Sequence, residues 1–322
     1  MALQTSGEIS LADIQAEFGG SNPISMSEYY QGGSYVYGNN PNVPSSGLIS
    51  IGDFHGGVGA VLLSSAGTIN GYGNRQQITV SNYISSGQAL IIPSDMYVWS
   101  NSTGSYGLTV NIPCTIINYG RIIGKGGNGG YHTSRGSNGG SAMRITSSGV
   151  TVQNMSGGYI AGGGGGGGGG TYAGGNNRAG GGGGAGGGNG ANGAYPYSYN
   201  TSYGGTGGAI NGTSTGTLSG ATAGGGGGGG GSPGGGGGRQ LPGSSRGGSG
   251  GSNKGGSGGG GGSVGGNHRS SSAQAGSAAA GGGGWGARGG SGGASSYGSG
   301  GRAISATTSY TLSNSGTIYG AT

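Results

Sequence analysis

The sequence predicts a mainly β and irregular protein: short capped helices at the N-terminus, a small β module, then a glycine-rich polyglycine II helix bundle on a base of repeated β strands. Three observations predict it. Of 322 residues, 99 are glycine, gathered in runs such as Gly162 to Gly170, Gly224 to Gly231 and Gly234 to Gly238. An Ile-Ser-x-x-acid motif occurs three times in the first 57 residues. A third pattern, running from a threonine to a glycine, begins at Thr115 and recurs at Thr151 and Thr311.

The composition first sets limits. Only 30% of the chain is hydrophobic and 6% charged, against roughly 25% charged residues in an average globular domain. One large apolar core is therefore not expected. Collagen is excluded, because it needs Gly at every third position with abundant Pro, and here the glycines are consecutive and there are 8 Pro. The lone Cys114 cannot form an internal disulfide. The N-terminus has no basic stretch followed by an apolar one, so no signal peptide is expected and synthesis is placed in the host cytoplasm. No run approaches 18 apolar residues, so no membrane insertion is expected.

Charge is distributed unevenly. All six carboxylates, Glu8, Asp13, Glu17, Glu28, Asp53 and Asp95, precede residue 96, and residues 96–322 carry a formal charge of +11. Paired-carboxylate catalysis, a Ser-His-Asp triad and a carboxylate calcium cage are thereby excluded from that region. His55, His132 and His268 are far apart and have no metal-ligand spacing with Cys114. Neither an enzyme, a metal site nor a cofactor is expected.

The first element repeats a helix start. The copies are Ile9-Ser10-Leu11-Ala12-Asp13-Ile14, Ile24-Ser25-Met26-Ser27-Glu28-Tyr29 and Ile49-Ser50-Ile51-Gly52-Asp53-Phe54. In each, Ser is the N-cap, the acid three residues on completes a capping box, and the flanking apolar residues form a staple. Glycine pairs follow and stop each helix. So short a region buries little apolar area by itself. The expectation is an attachment segment, residues 1–57, that orders on a partner through Ile9, Ile14, Ile24, Tyr29, Ile49 and Phe54; a small independent headpiece is the other reading.

Residues 58–123 alternate short β-branched or aromatic runs with Gly, Asn, Ser and Pro, which reads as a β adaptor module. Its last segment, Thr115 to Gly124, recurs as Thr151 to Gly162 and Thr311 to Gly320. A degenerate copy runs from Gly207-Gly208-Ala209-Ile210 to Thr217-Leu218-Ser219-Gly220. Repeated units of this kind stack on one another, each a strand, a Gly turn and a second strand. The last copy ties the C-terminus into the base.

Residues 124–322 are then the bundle. A Gly/Ser chain is ordinarily a random coil. A lattice of left-handed helices with three residues per turn is the alternative, because glycine alone lets backbones pair sideways on all sides. The short, similar runs and the return of the chain to one base favour the lattice. Its loops carry Tyr, Ser, Asn and Arg, a composition suited to rigid yet adaptable recognition. The candidate receptor-binding residues are Tyr131, His132, Arg135, Tyr172, Arg178, Tyr195, Tyr197, Tyr199, Tyr203, Arg239, Arg269 and Trp285. Sequence alone does not say which loops share an end.

Two resemblances follow. The opening, with Ser6 to Ile14, Gly19 to Tyr30 and the Ile49 to Gly56 copy, resembles the N-termini of tailed-bacteriophage virion proteins of the tail-fibre or baseplate type. The C-terminal two-thirds, including Thr115 to Gly130, resembles the polyglycine II receptor-binding adhesins at the tips of T-even-like long tail fibres. The resemblance implies a virion protein of the tail fibre or tail tip, docked on other phage tail or baseplate proteins through its N-terminus. It also implies binding to a bacterial surface glycan, lipopolysaccharide or outer-membrane protein. The opening differs from the attachment domain expected of tip adhesins, which leaves the place on the virion open. The +11 balance fits an acidic target. A non-adhesive structural decoration of head, neck or baseplate is the alternative. An ice-binding protein fits less well because of the N-terminal motif triplet and the Tyr/Arg loop chemistry, and a nucleic-acid binder because no RNP, KH or zinc pattern is present.

Overall fold

In the computed structural model, the residues described are 3–33, 35–36, 40, 42–69, 72–130, 134–171, 178–179, 183–186, 281–291 and 296–322. The degenerate repeat at 207–220 and the long glycine runs after 223 lie outside them.

The headpiece follows from its caps. Ser10 closes a capping box with Asp13 at the start of α1 (Leu11–Phe18), its N–H donating to Asp13 Oδ2 at 2.8 Å. The third copy does the same, Ser50 N–H donating to Asp53 Oδ2 at 2.7 Å ahead of a single 3₁₀ turn, Ile51–Phe54. The second copy departs from expectation: Ser25 Oγ accepts from Ser27 N–H instead, and the Glu28 Oε2 atom is buried without a hydrogen-bond partner.

The three turns pack against one another. Ile14, Tyr29 and Phe54 are fully buried, and Phe18, Tyr29 and Phe54 meet edge to face at 5.7–6.5 Å. Ile9, Ile24 and Ile49 pack half-buried on this cluster. The expectation that Ile14, Tyr29 and Phe54 are contact residues for a partner is thus corrected, because the three turns face each other and bury them in a core, whereas Ile9, Ile24 and Ile49 keep part of their surface exposed. The Tyr29 hydroxyl donates to the Gly19 carbonyl at 2.7 Å. Gly20, at φ +121°, leaves room for it, since a Cβ there would sit 2.7 Å from that oxygen.

Among the described residues, the chain after the headpiece winds into five coils. The first holds β1 (Ala60–Leu62), β2 (Thr68–Ile69) and β3 (Tyr72–Gln76); the second β4 (Ile78–Thr79), β5 (Ala89–Ile92) and β6 (Met96–Trp99); the third β7 (Leu108–Val110), β8 (Thr115–Asn118) and β9 (Arg121–Ile123). The fourth holds β10 (Met143–Ile145), β11 (Val150–Asn154) and β12 (Tyr159–Ala161). An antiparallel pair, β13 (Gly170–Thr171) and β14 (Arg178–Ala179), intervenes. The fifth coil holds β15 (Ile304–Ala306), β16 (Tyr310–Asn314) and β17 (Thr317–Tyr319).

Coils stack strand upon strand into three sheets, ordered β1-β5-β8-β11-β16, β4-β7-β10-β15 and β2-β3-β6-β9-β12-β17. All pairs in them are parallel except β2 with β3. Apolar columns line the interior in register. They are Ile78, Leu108, Met143 and Ile304; Leu90, Ile116, Val152 and Leu312; and Val98, Ile122, Ile160 and Ile318. The repeated Asn builds a fourth column. Asn118 donates to Asn154 and Asn154 to Asn314, each at 2.8 Å. The ladder begins above Ile92, which has no amide to offer, so Asn118 Oδ1 stays without a partner. These columns cross residues 123 and 124 without a break.

Candidate functional site

The glycine runs are continuations of strands. β9 runs into Gly124 and β12 into Gly162, and the returning chain re-enters the sheets at β10 and β15. The runs therefore project from one corner of the stack.

Residues 162–169 form the buried centre of this projection. Around them lie segments 124–130, 134–140, 183–186, 281–290 and 298–301, joined by backbone hydrogen bonds. Gly124, Gly127 and Gly130 donate to Ala161, Gly164 and Gly167 at 2.8–2.9 Å. Gly163, Gly166 and Gly169 donate to Gly140, Ser137 and Ser134 at 2.8–3.3 Å. Gly165 and Gly168 donate to Ala287 and Gly290 at 2.9 and 3.1 Å. Each neighbour is met at every third residue. The spacing leaves no room for side chains: a Cβ at Gly163, Gly164, Gly165 or Gly166 would lie 1.8–2.1 Å from the carbonyl oxygen of Lys125, Gly283, Gly298 or Asn128 respectively.

This register shows which of the described run ends lie together. Gly130 pairs with Gly167, Gly169 with Ser134, Gly168 with Gly290 and Gly136 with Ser296. The flanks of the segments 131–133, 172–177 and 292–295 thus all lie at the end far from the sheets. Among the sequence candidates, Arg135 is at this end, exposed, its guanidinium donating to Asn138 Oδ1 at 3.2 Å. Arg178 is there too, on β14 opposite Thr171. Tyr131, His132, Tyr172, Tyr195, Tyr197, Tyr199, Tyr203, Arg239 and Arg269 lie outside the described residues.

Trp285 is a correction. It sits at the opposite end, where Gly286 donates to Gly162 at the foot of the central run. It is fully buried against Tyr97, Ile123, Ala161 and Ala185, with Trp99, Tyr159 and Tyr319 around it. Its indole fills the space between the bundle and the outer face of the β6-β9-β12-β17 sheet, so no receptor can reach it. Sequence reasoning also passed over a cation–π pair nearer the far end. Arg288 lies 4.3 Å from the centre of the Tyr297 ring, on neighbouring runs joined by Gly289 and Gly298. The residues stand in separate Gly-rich stretches, and nothing short of the register aligns them.

Two charged groups at the foot are structural. Arg121 lies over the rings of Tyr97 and Tyr159, at 5.0 and 5.8 Å, and donates to the Ser94 carbonyl. Burial pushes the Lys125 amine down to about 8. Among the described residues there is no group of three or more His, Cys, Asp or Glu that could hold a metal, and no helix is long and apolar enough to cross a membrane.

Comparison with known proteins places this architecture. No curated protein sequence matches the chain. A chain of the crystal structure of the gp37-gp38 adhesin tip complex of the bacteriophage S16 long tail fibre is similar at 19% identity, over 98% of this chain and 99% of that one, with a TM-score of 0.45. The family model of the phage tail fibre adhesin Gp38 matches residues 68–233, more than half of the sequence. With β2 to β14 and the central glycine run inside that match, the chain belongs to the phage tail fibre adhesin Gp38 family and is a tail-fibre adhesin of the virion.

Proposed function

We propose that the far end of the glycine bundle is the receptor-binding surface. The observation that carries this is the convergence of the described run ends at Gly130, Ser134, Gly169, Gly290 and Ser296 at the end away from the sheets, with exposed Arg135 beside them. A rigid base with recognition on its loops is the usual division of labour in binding proteins. Arg178 is on one of these flanks, and Tyr131, His132 and Tyr172, which lie outside the described residues, are proposed for the same role from their places in sequence beside Gly130 and Thr171. Tyr195, Tyr197, Tyr199, Tyr203, Arg239 and Arg269 are proposed for the same role from their loop composition alone.

The bundle itself is read as polyglycine II. Its support is the threefold pairing rule, since a helix of three residues per turn presents every third residue to the same neighbour. The formal +11 of residues 96–322 favours an anionic target on the bacterial surface, such as a glycan or the phosphates of lipopolysaccharide, with an outer-membrane protein as the other class. Residues 1–57 are read as the attachment segment toward other tail or baseplate proteins. Their own core takes up Ile14, Tyr29 and Phe54, and leaves Ile9, Ile24 and Ile49 half-buried around it. Leu48, 92% exposed, and Ile51 on the headpiece, with Val61 and Leu62 on β1, are among the large apolar groups exposed in the described residues. Residues 58–123 act as the adaptor and 124–322 as the binding part, a division of function within one continuous stack.

The test is binding of the labelled full-length chain to a panel of candidate host strains, at low and high salt. Strain-selective binding that competes with phage adsorption, and that falls when Tyr131→Ser and Arg135→Ser are combined, is the expected result. Loss at high salt identifies an anionic receptor. Undiminished binding by the double variant would move the receptor site off this end.

A further inference from the structure

Among the described residues, six segments ring the central run 162–169. Segment 281–290 supplies two of them, because it turns at Trp285-Gly286 and Gly290 donates back to Gly281 at 2.9 Å. Ring neighbours are joined in turn: 124–130 to 134–140 through Ser137 and Asn128, 134–140 to 296–301 through Gly139 and Ser299, and 296–301 to 287–290 through Gly289 and Gly298. Segments 281–284 and 183–186 close the ring and are buried throughout.

Side chains are confined to the outside of this ring. The central run is glycine only, whereas the ring segments carry larger residues three apart, as at Lys125 and Asn128, Arg135 and Asn138, and Ser296 and Ser299. Since each neighbour is met at every third residue, residues three apart share a side.

One side is both exposed and chemically varied. It consists of 134–140, 296–301 and 287–290, lying next to one another. The middle segment shows two exposed serines, Ser296 and Ser299. On one flank the Arg135 guanidinium donates to Asn138 Oδ1 at 3.2 Å, and the same oxygen accepts the Ser299 N–H at 2.9 Å. On the other flank exposed Arg288 lies 4.3 Å from the centre of the half-buried Tyr297 ring. Small hydroxyl residues thus run between two rows of longer side chains, as a trough along the bundle. Hydrogen-bonded backbones lie about 4.8 Å apart, so the two outer segments stand roughly 10 Å apart or less.

The chemistry of the trough selects its occupant. Each guanidinium is oriented by a neutral group, an amide on one flank and a phenol ring on the other. Residues 96–322 hold no carboxylate side chain to cancel either charge. Guanidinium forks match planar carboxylates. Serine and asparagine suit the hydroxyls of sugars, and a tyrosine ring packs on their apolar faces. Two single cations on opposite flanks fit monoanions spaced along a chain; a phosphate cluster would call for cations that converge.

We propose that this wall binds an extended acidic polysaccharide, its sugars lying along Ser296 and Ser299 and its carboxylates on Arg135 and Arg288. The site is on the side of the bundle and does not rest on the receptor-binding reading of the far end. It holds glycan chains along the bundle, whatever the tip itself engages.

The full-length chain is titrated by calorimetry with polygalacturonate oligosaccharides, with dextran of the same length and with inorganic polyphosphate. The expected result is binding of polygalacturonate at least about tenfold tighter than dextran or polyphosphate. Arg288→Gln should weaken it about tenfold, and Tyr297→Leu about fivefold. Arg144→Gln removes the same charge from β10, where Arg144 lies 5.3 Å from the Tyr106 ring, and should leave binding unchanged. Arg135 is left intact because it also stands at the far end. Arg288 is exposed, so its variant decides the matter even if Tyr297→Leu unfolds. Absence of polygalacturonate binding overturns the proposal. So does an equal loss in Arg144→Gln, which would mean a diffuse charge effect, and so does preference for polyphosphate, which would make the wall a phosphate site. Adhesion to cells is read separately, so failure here leaves the far-end reading standing.

Discussion

The β stack and the glycine bundle are both packed, but by opposite means. In the stack, side chains fill the interior and strands stay in register through their columns. In the bundle, backbones touch backbones and side chains are excluded. A side-chain core tolerates change of shape at moderate cost. A backbone core tolerates no side chain at its centre, yet it asks nothing of the residues at its turns. An adhesin divided in this way can keep its scaffold while its tip sequence varies.

The sharpest break in that comparison is a single methyl group. Gly165→Ala places a Cβ 1.9 Å from the Gly298 carbonyl oxygen, and is expected to cost about 4 kcal/mol or more. Val152→Ala removes two methyl groups from the stack and is expected to cost about 2 kcal/mol. Thermal unfolding of the two full-length variants measures the difference, and equal losses would mean that the central run is not backbone-packed.

Trp285→Ala tests how the two regions are joined. It empties the space beneath the bundle and is expected to cost about 3 kcal/mol. Loss of cell binding by this variant should follow loss of structure, with near-ultraviolet circular dichroism changing in parallel. A folded variant that fails to bind would return Trp285 to the receptor site. Next in size, Asn154→Ala breaks both ladder bonds in a buried position, at about 2 kcal/mol, whereas Asn314→Ala should cost about 1 kcal/mol or less. Chemical denaturation separates them.

A smaller effect concerns Lys125. Its amine ionises at about 8 in the fold, below the ordinary 10.5. Between these values the unfolded chain binds more protons, so stability rises with pH across that window. Lys125→Met should flatten the rise, read as the difference between the two pH–stability curves. The least stability change is expected at the far end: Arg288→Ala should alter it by about 0.5 kcal/mol or less, and its readout is cell binding.

Legibility differs between the regions for physical reasons. The caps at Ser10 and Ser50 were readable because capping is local. So was the strand–Gly–strand unit, since its repeat is written three times. The parallel three-sheet arrangement was not, because pairing between Asn118, Asn154 and Asn314 joins residues remote in sequence. The headpiece was misread: Ile14, Tyr29 and Phe54 appear as an exposed stripe on each short turn, and only their mutual packing hides them. Trp285 was misread for a related reason. A lone aromatic among glycines looks like a loop residue until the register places it at the foot. The partnership of Arg288 with Tyr297 had no local signal at all.

The threefold pairing rule has a consequence for how the tip can change length. If the runs are the proposed polyglycine II helices, adding one residue to a run turns everything beyond it by a third of a revolution and gives each amide the wrong neighbour. Adding three restores every partner and carries the turn outward by about 9 Å, at roughly 3.1 Å per residue. Viable insertions and deletions in the runs should therefore come in multiples of three. Receptor reach would then change in steps while the turn keeps its facing, much as a ratchet advances tooth by tooth.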